Sequence, residues 1–264
     1  GKVENKGLDF SIDYVKRFNK DFDMSFKGTF TYAHNKVLEY DEPDFQKYPN
    51  ISRVGHSVDQ QLLYIAERLF IDDSEVQRNP KQNLGGWVSG GDIKYKNLPD
   101  VNGNYDNVID SNDRQYTGMP TTPEIVYGFG PSFRYKKFDF SFFFQGAARV
   151  SIMMNGIHPF GAEGTRNVLQ FIADDYWSET NQNIYAEYPR LSKRDNENNT
   201  KASTYWQRNG AFLKLKNLEV GFNHKFFRVY LRGSNLLTFS PFKYWDPEMG
   251  SGSGLSYPTQ RVFN

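Results

Sequence analysis

The chain has 264 residues and no cysteine, which excludes a disulfide scaffold and thiolate zinc sites while leaving the redox compartment open. Nor does it contain an apolar run approaching the roughly 20 residues of a spanning helix, and its mean hydropathy is −0.70. These two absences exclude helical membrane proteins only. A transmembrane β-barrel alternates lipid-facing and lumen-facing side chains, so its mean hydropathy can be that of a soluble protein. With a net charge of +1 there is no global field to recruit nucleic acid or an anionic membrane. No secretion signal is recognisable at Gly1. The four histidines, His34, His56, His158 and His224, are scattered without metal-ligand spacing. "GSGSG" at 250–254 has Gly252 where a nucleophile elbow needs serine. "GFGPSF" at 128–133 puts Phe133 at the third glycine position of a dinucleotide fingerprint. With no acid, base and nucleophile grouped together, no enzymatic activity is expected.

Aromatic side chains are abundant instead: 17% of the chain, with 23 Phe and 17 Tyr. Many fall at alternate positions. In "KKFDFSFFFQGAARV" (136–150), Phe138, Phe140, Phe142 and Phe144 occupy one side of an extended chain, and Asp139, Ser141 and Gln145 the other. The same period of two runs through Leu8, Phe10, Ile12 and Tyr14, and after "RFNKD" through Phe22, Met24, Phe26, Gly28, Phe30 and Tyr32, predicting a hairpin. Ile125, Tyr127, Phe129, Pro131, Phe133 and Tyr135 form a strand that turns at Lys136 and Lys137 into the phenylalanine run. A third hairpin joins Leu213, Leu215, Leu218, Val220 and Phe222, with a phase shift at Asn217 that predicts a β-bulge, to Phe227, Val229 and Leu231. Pro131 cannot donate to a central ladder, so a bulge or a strand boundary is expected there.

Turns within hairpins are short, whereas the connections between them, about 38–122, 151–205 and 240–256, are long. If every hairpin turn lies at one end of the sheet, all three long connections leave from the other. Short turns at one rim and long loops at the opposite rim describe an outer-membrane barrel with extracellular loops. The alternative is a secreted or surface β-sandwich with long loops at one end, binding carbohydrate or a partner protein. Of the charges alternating with the aromatics, Arg134, Asp139, Lys214 and Lys216 are expected on a solvated lumen face.

"GKVENKGLDFSIDY", "GDIKYKN", "DVNGNYDNVIDSNDRQYTG", "YWSETNQNIYAEYPRL", "FLKLKNLEVGF", "VYLRGSNLLTFSPFKYWDPE" and "YPTQRVFN" occur in this order along residues 1–264. Together they resemble the C-terminal portion of SusC-like TonB-dependent outer-membrane transporters. The resemblance implies an all-β, antiparallel transmembrane barrel segment, about seven strands of a barrel of about 22. It further implies an outer-membrane location and import of a glycan or peptide driven by TonB. Partners on this reading are a SusD-like lipoprotein lid, outer-membrane lipid, and the plug and N-terminal strands of the same transporter, through which TonB acts. Six complete strands and one incipient strand at Phe263 and Asn264 are expected here, too few to close a barrel without the rest.

Asn102, Asn104, Asp106, the carbonyl of Val108, Asp110 and Asp113 match positions 1, 3, 5, 7, 9 and 12 of an EF-hand-type loop, with Ile109 at the apolar position 8. Hard oxygen donors without imidazole or thiolate suit a structural Ca²⁺. Asn107 stands where glycine is usual, and Asp113 is shorter than the usual glutamate. The resembling family's pattern would instead align Asp100 and Asn102, with two residues inserted before Asp106. The other reading is an Asn/Asp-rich turn held by its own side chains. Trp87, Tyr105, Trp177, Trp206, Tyr244 and Trp245 lie in or beside the long connections. There they are expected to contact substrate or lid, or to pack the loops together.

Overall fold

In the computed structural model, residues 1–159, 167–193 and 196–264 are described. The chain divides into two compact units. The first contains 4–35, 119–152 and 209–264, and the second contains 1–3, 36–118 and 153–208.

The first unit is built on an antiparallel sheet of seven strands: β1 (Lys2–Arg17), β2 (Phe22–Glu39), β3 (Ile125–Tyr135), β4 (Phe138–Ala148), β5 (Phe212–His224), β6 (Phe227–Phe239) and β7 (Val262–Phe263), adjacent in chain order. All three predicted hairpins are present. The register stacks alternate residues into rows: Phe22, Tyr135, Phe138, Phe222 and Val229 form one row, and Met24, Phe133, Phe140, Val220 and Leu231 the next. The rings touch along and across strands, with centroids 5.6 Å apart for Phe129 and Phe144, 5.7 Å for Phe140 and Phe142, and 5.8 Å for Phe142 and Phe144. Rows of the opposite face are polar. Asp23 pairs with Arg134, and Arg228 reaches Asp139 at 2.7 Å and Glu219 at 2.5 Å.

In a sandwich the phenylalanine face would be covered by a second sheet. Here Phe138 is 57% exposed and Leu231 65%, and every other sheet among the described residues has only two strands. A single sheet with one continuous apolar face and one charged face is the barrel-wall pattern, so the sandwich alternative is set aside.

Two local expectations meet different outcomes. The bulge predicted at Asn217 appears at the preceding residue: against β4, Asn217 and Leu215 pair with the consecutive Phe143 and Phe144, which leaves Lys216 as the extra residue. Pro131, by contrast, is neither bulged nor terminal. It lies inside β3 opposite Phe26, and the β3–β4 ladder is interrupted at the position facing it, then resumes in the same register. The missing donor therefore costs one local ladder gap. Gly130 beside it is required by close approach, because a Cβ there would run into the Phe142 carbonyl oxygen.

The second unit gathers most of the first two long connections into a compact body of its own. Its backbone is held by short pairings, Gln61–Tyr64 with Arg114–Thr117 and Ala66–Leu69 with Ile93–Tyr95, and by the helix α1 (Asp73–Arg78). Leu63, Leu69, Ile93 and Ile172 are fully buried, with Tyr95, Ile109, Ile157 and Trp206 nearly so.

Candidate functional site

A fully buried carboxylate organises one side of the second unit. Asp92 Oδ1 accepts from Asn196 Nδ2 (2.9 Å) and Asn199 Nδ2 (2.8 Å), and Oδ2 accepts from the Ser89 amide (2.8 Å) and an Arg190 Nη (3.0 Å). The Arg190 Nε lies 2.7 Å from Oδ1. Burial raises the Asp92 pKa and outweighs the opposing effect of Arg190 and the amide donors. With its guanidinium so held, Arg190 lies over the Trp87 ring, 4.3 Å from the centroid.

Trp87 and Arg190 line a cleft of about 540 Å³ with Trp177, Gln182 and three acidic side chains, Asp72, Asp73 and Glu179. Local sequence sets these positions. Asp72 caps α1 by accepting from the Glu75 amide at 2.7 Å, and Asp73 accepts from the Gly90 amide at 2.8 Å. Glu75, on the same helix, is fixed by Arg68, Lys94 and the Ile71 amide. Its burial alone would raise the carboxyl pKa, but these donors bring it down to about 2. Gly91 adopts φ +81°, and a Cβ there would collide with the Trp177 ring, so this glycine sets how closely the indole packs.

Of the six aromatics singled out in the sequence, the structure brings two to this cleft, Trp87 (53% exposed) and Trp177 (6%). Trp206 is core: it touches Tyr205, His158 and Tyr188, and its Nε1 donates to the Asn199 carbonyl at 2.8 Å. Tyr105 is exposed in its loop. Tyr244 and Trp245 belong to the sheet-bearing unit, where both rings pack on buried Phe242 and Trp245 Nε1 donates to the Gly250 carbonyl at 3.0 Å. The sequence reading missed Asp92, Arg190, Glu179 and Gln182. A weak signal existed, since Asp92 and Arg190 lie in two of the quoted phrases, "GDIKYKN" and "YWSETNQNIYAEYPRL".

Lys214 requires a correction. Expected on a solvated face, its side chain is 1% exposed, with Nζ 2.6 Å from both Asp246 and Glu248, while Lys216 holds Glu248 at 2.9 Å. The two acids belong to "DPE", in the connection between β6 and β7, and they fold that segment back onto β5.

Between Asn102 and Asp113 the aspartates serve the backbone. Asp106 accepts from the Val108 amide (3.0 Å), Asp110 from Asn112 (2.8 Å), and Asp113 from Leu98 (2.7 Å) and Asp110 (2.8 Å). Asn107 is left-handed at φ +59°, as the loop pattern asks of that position. Among the described residues no group of three or more His, Asp or Glu side chains is placed to share a metal ion.

No protein-family model matches the chain. TonB-dependent receptor P3 of Formosa agariphila is 28% identical over all of the chain and 28% of its own length. TonB-dependent receptor SusC of Bacteroides thetaiotaomicron is 24% identical over all of the chain and 26% of its own length. The chain is similar along its whole length to TonB-dependent receptors, SusC among them. Structures of the RagAB peptide importer agree in fold: its open-open state superposes with a TM-score of 0.68 at 19% identity, over 99% of the chain and 28% of the importer chain. Its closed-closed state gives 0.66 at 20% identity, over 99% and 29%. The chain thus spans rather more than a quarter of the length of the relatives it matches. The seven-stranded sheet is a segment of a transmembrane β-barrel, and its place is the outer membrane.

Proposed function

We propose that this SusC-like chain works as part of a TonB-dependent importer of nutrients, taking up a glycan or a peptide beneath a SusD-like surface lipoprotein. The carrying observation is the two-faced sheet, apolar on one side and charged on the other, within a chain similar along its whole length to TonB-dependent receptors. On this reading the phenylalanine face meets lipid and the charged face meets the lumen. The remainder of the transporter supplies the plug, the other strands and the TonB contact. The named relatives are receptors and transporters, which fits binding and passage of a substrate without bond chemistry. RagAB is a peptide importer, which favours keeping peptides beside glycans as substrates.

The test is uptake of labelled oligosaccharides and peptides by cells carrying the complete transporter, with and without TonB. Accumulation of either class that needs both supports the reading, and uptake indifferent to TonB refutes it. A structural Ca²⁺ at Asn102–Asp113 is proposed as a second state of that loop. The three aspartates supply the charge, and binding requires them to exchange their backbone amides for the ion.

A further inference from the structure

The cleft beside Trp87 has a chemistry that neither a generic glycan site nor a generic peptide site requires. Its charged lining is acidic. Among the described residues, Asp72 and Asp73 each use one carboxylate oxygen on a backbone amide and have no partner for the other, whereas Glu179 makes no hydrogen bond. Arg190 is the only cation lining the cleft among the described residues, and its charge is already committed to buried Asp92. Three carboxylates around one cleft repel an anionic ligand and attract a cationic one. The indole of Trp87 adds the second element of cation recognition, and it already carries a guanidinium at 4.3 Å. A third observation points to a ligand independently. Trp177 lines the same cleft at 6% exposure, and its indole N–H has no acceptor among the described residues. A buried donor without a partner is costly; this one is shielded from solvent as the cleft stands, so a ligand oxygen satisfies it only by shifting the indole. Gln182, also without a hydrogen bond to any described residue, adds one more donor and acceptor at the rim.

We infer that the cleft lined by Trp87 and Trp177 binds the ammonium or guanidinium group of an imported oligomer, so that this importer selects basic cargo. The inference rests on the import reading for the word cargo, but the binding it describes can be measured without transport. Trp87 also lines a second cleft of about 370 Å³, with Phe70, Val76, Pro80 and one cation, Lys81. One indole therefore borders two spaces, an arrangement that suits consecutive units of an oligomer better than a single small cation. Two sources carry this chemistry together with an oxygen acceptor. One is a peptide rich in lysine or arginine, and the other is an amino-sugar oligomer.

The experiment uses the complete transporter purified in detergent and four probes: tetralysine, a glucosamine tetramer, maltotetraose and tetraglutamate. One or both cationic probes should bind at least roughly tenfold more tightly than maltotetraose, with tetraglutamate weakest, and added salt should erode the preference. Asp72→Asn, Asp73→Asn and Glu179→Gln combined should lower cation affinity roughly tenfold. The asparagines retain an acceptor for the Glu75 and Gly90 amides, so folding is preserved, and unchanged heat-modifiability of the barrel checks this. Trp87→Ala should weaken the same probes by a similar factor and Trp87→Phe by less. Preference for tetralysine assigns the site to peptides, and preference for the glucosamine tetramer assigns it to amino sugars. Equal or tighter binding of maltotetraose or tetraglutamate, no binding of any probe, or a triple variant that binds cations like the unaltered protein overturns the inference. Transport separates the two readings. TonB-dependent uptake with an unaltered triple variant sinks the subsite alone, whereas carboxylate-dependent cation binding without TonB-dependent uptake sinks the import reading alone.

Discussion

Replacing Lys214 by methionine should release the connection between β6 and β7 without unfolding the sheet. The lysine side chain is 1% exposed, and its ammonium is shared by Asp246 and Glu248 at 2.6 Å each. Methionine keeps the length of the stem and removes the charge, leaving two carboxylates facing one another. Stripping one partner from a buried ion pair costs about 3–5 kcal/mol. Asp246 and Glu248 are 18% and 22% exposed, and Lys216 still holds Glu248, so the lower end, about 3 kcal/mol, applies. At about 1.4 kcal/mol per tenfold, the loop's opening equilibrium should rise roughly a hundredfold. Amide exchange reads this directly at Met249 and Gly250, whose N–H groups donate to the Asp246 and Pro247 carbonyls. Adding Asp246→Asn and Glu248→Gln to the lysine change should restore most of the protection, because no uncompensated charge is then left. Burial alone would raise both carboxyl pKa values, but hydrogen bonds from Lys214, with Lys216 also acting on Glu248, hold them below their ordinary values. A folded pKa below the unfolded one gives stability that is present above the unfolded value, near 4, and is lost as pH falls through the folded one. The unaltered loop should therefore open progressively below about pH 4, and the triple variant should not. Unchanged exchange at Met249 and Gly250 in the single variant would refute the latch.

Phe142→Arg should impair assembly of the barrel by about 2–4 kcal/mol near the midplane, whereas Ser141→Arg, on the opposite face, should cost far less; equal assembly yields in outer membranes would reverse the lipid assignment. Intact-cell crosslinking from a photoreactive residue at Trp87, or at an exposed position near Trp177, should capture a surface lipoprotein, and capture of periplasmic proteins only would invert the topology. Calcium should bind Asn102–Asp113 at about 10⁻⁴ to 10⁻³ M, and Asp106→Asn with Asp110→Asn should abolish it. Calorimetry that shows no heat with millimolar calcium would leave the segment a self-capped turn.

The sheet was legible because its two faces impose a period of two on every strand, and a one-residue slip would have put Asp139 among the phenylalanines. The bulge was legible too, since Leu215 and Leu218 cannot share a face without an extra residue between them. Pro131 misled because a ladder tolerates one missing donor when both neighbouring strands keep their register, and a single sequence does not display its partners. The second unit has no such period. Its strands are short pairings between segments as far apart as Gln61–Tyr64 and Arg114–Thr117, so no local alternation marks them. The candidate site was half legible for the same reason. Trp87 stood out as a large aromatic in a long connection, but Arg190 became informative only once the fold placed it between that indole and Asp92, 98 residues away.

That placement also accounts for the buried charge. An apolar residue at position 92 would spare the desolvation that raises the carboxyl pKa, and pairs of this kind are often no more stable than a well-packed hydrophobic substitute. The carboxylate instead supplies direction. Its two oxygens take donors from Ser89, Arg190, Asn196 and Asn199, and so tie three separate stretches of chain to one point. Nonspecific apolar contact would hold such stretches together without fixing their orientation. Here Arg190 is aimed at the face of Trp87, and the cleft keeps its shape with only the short helix α1 as regular structure in its lining. Asp92→Leu should accordingly leave barrel assembly and most of the second unit's apolar burial intact while it frees the guanidinium. An unchanged Trp87 fluorescence spectrum and unchanged cation binding in that variant would show that the indole is positioned by something other than this pair.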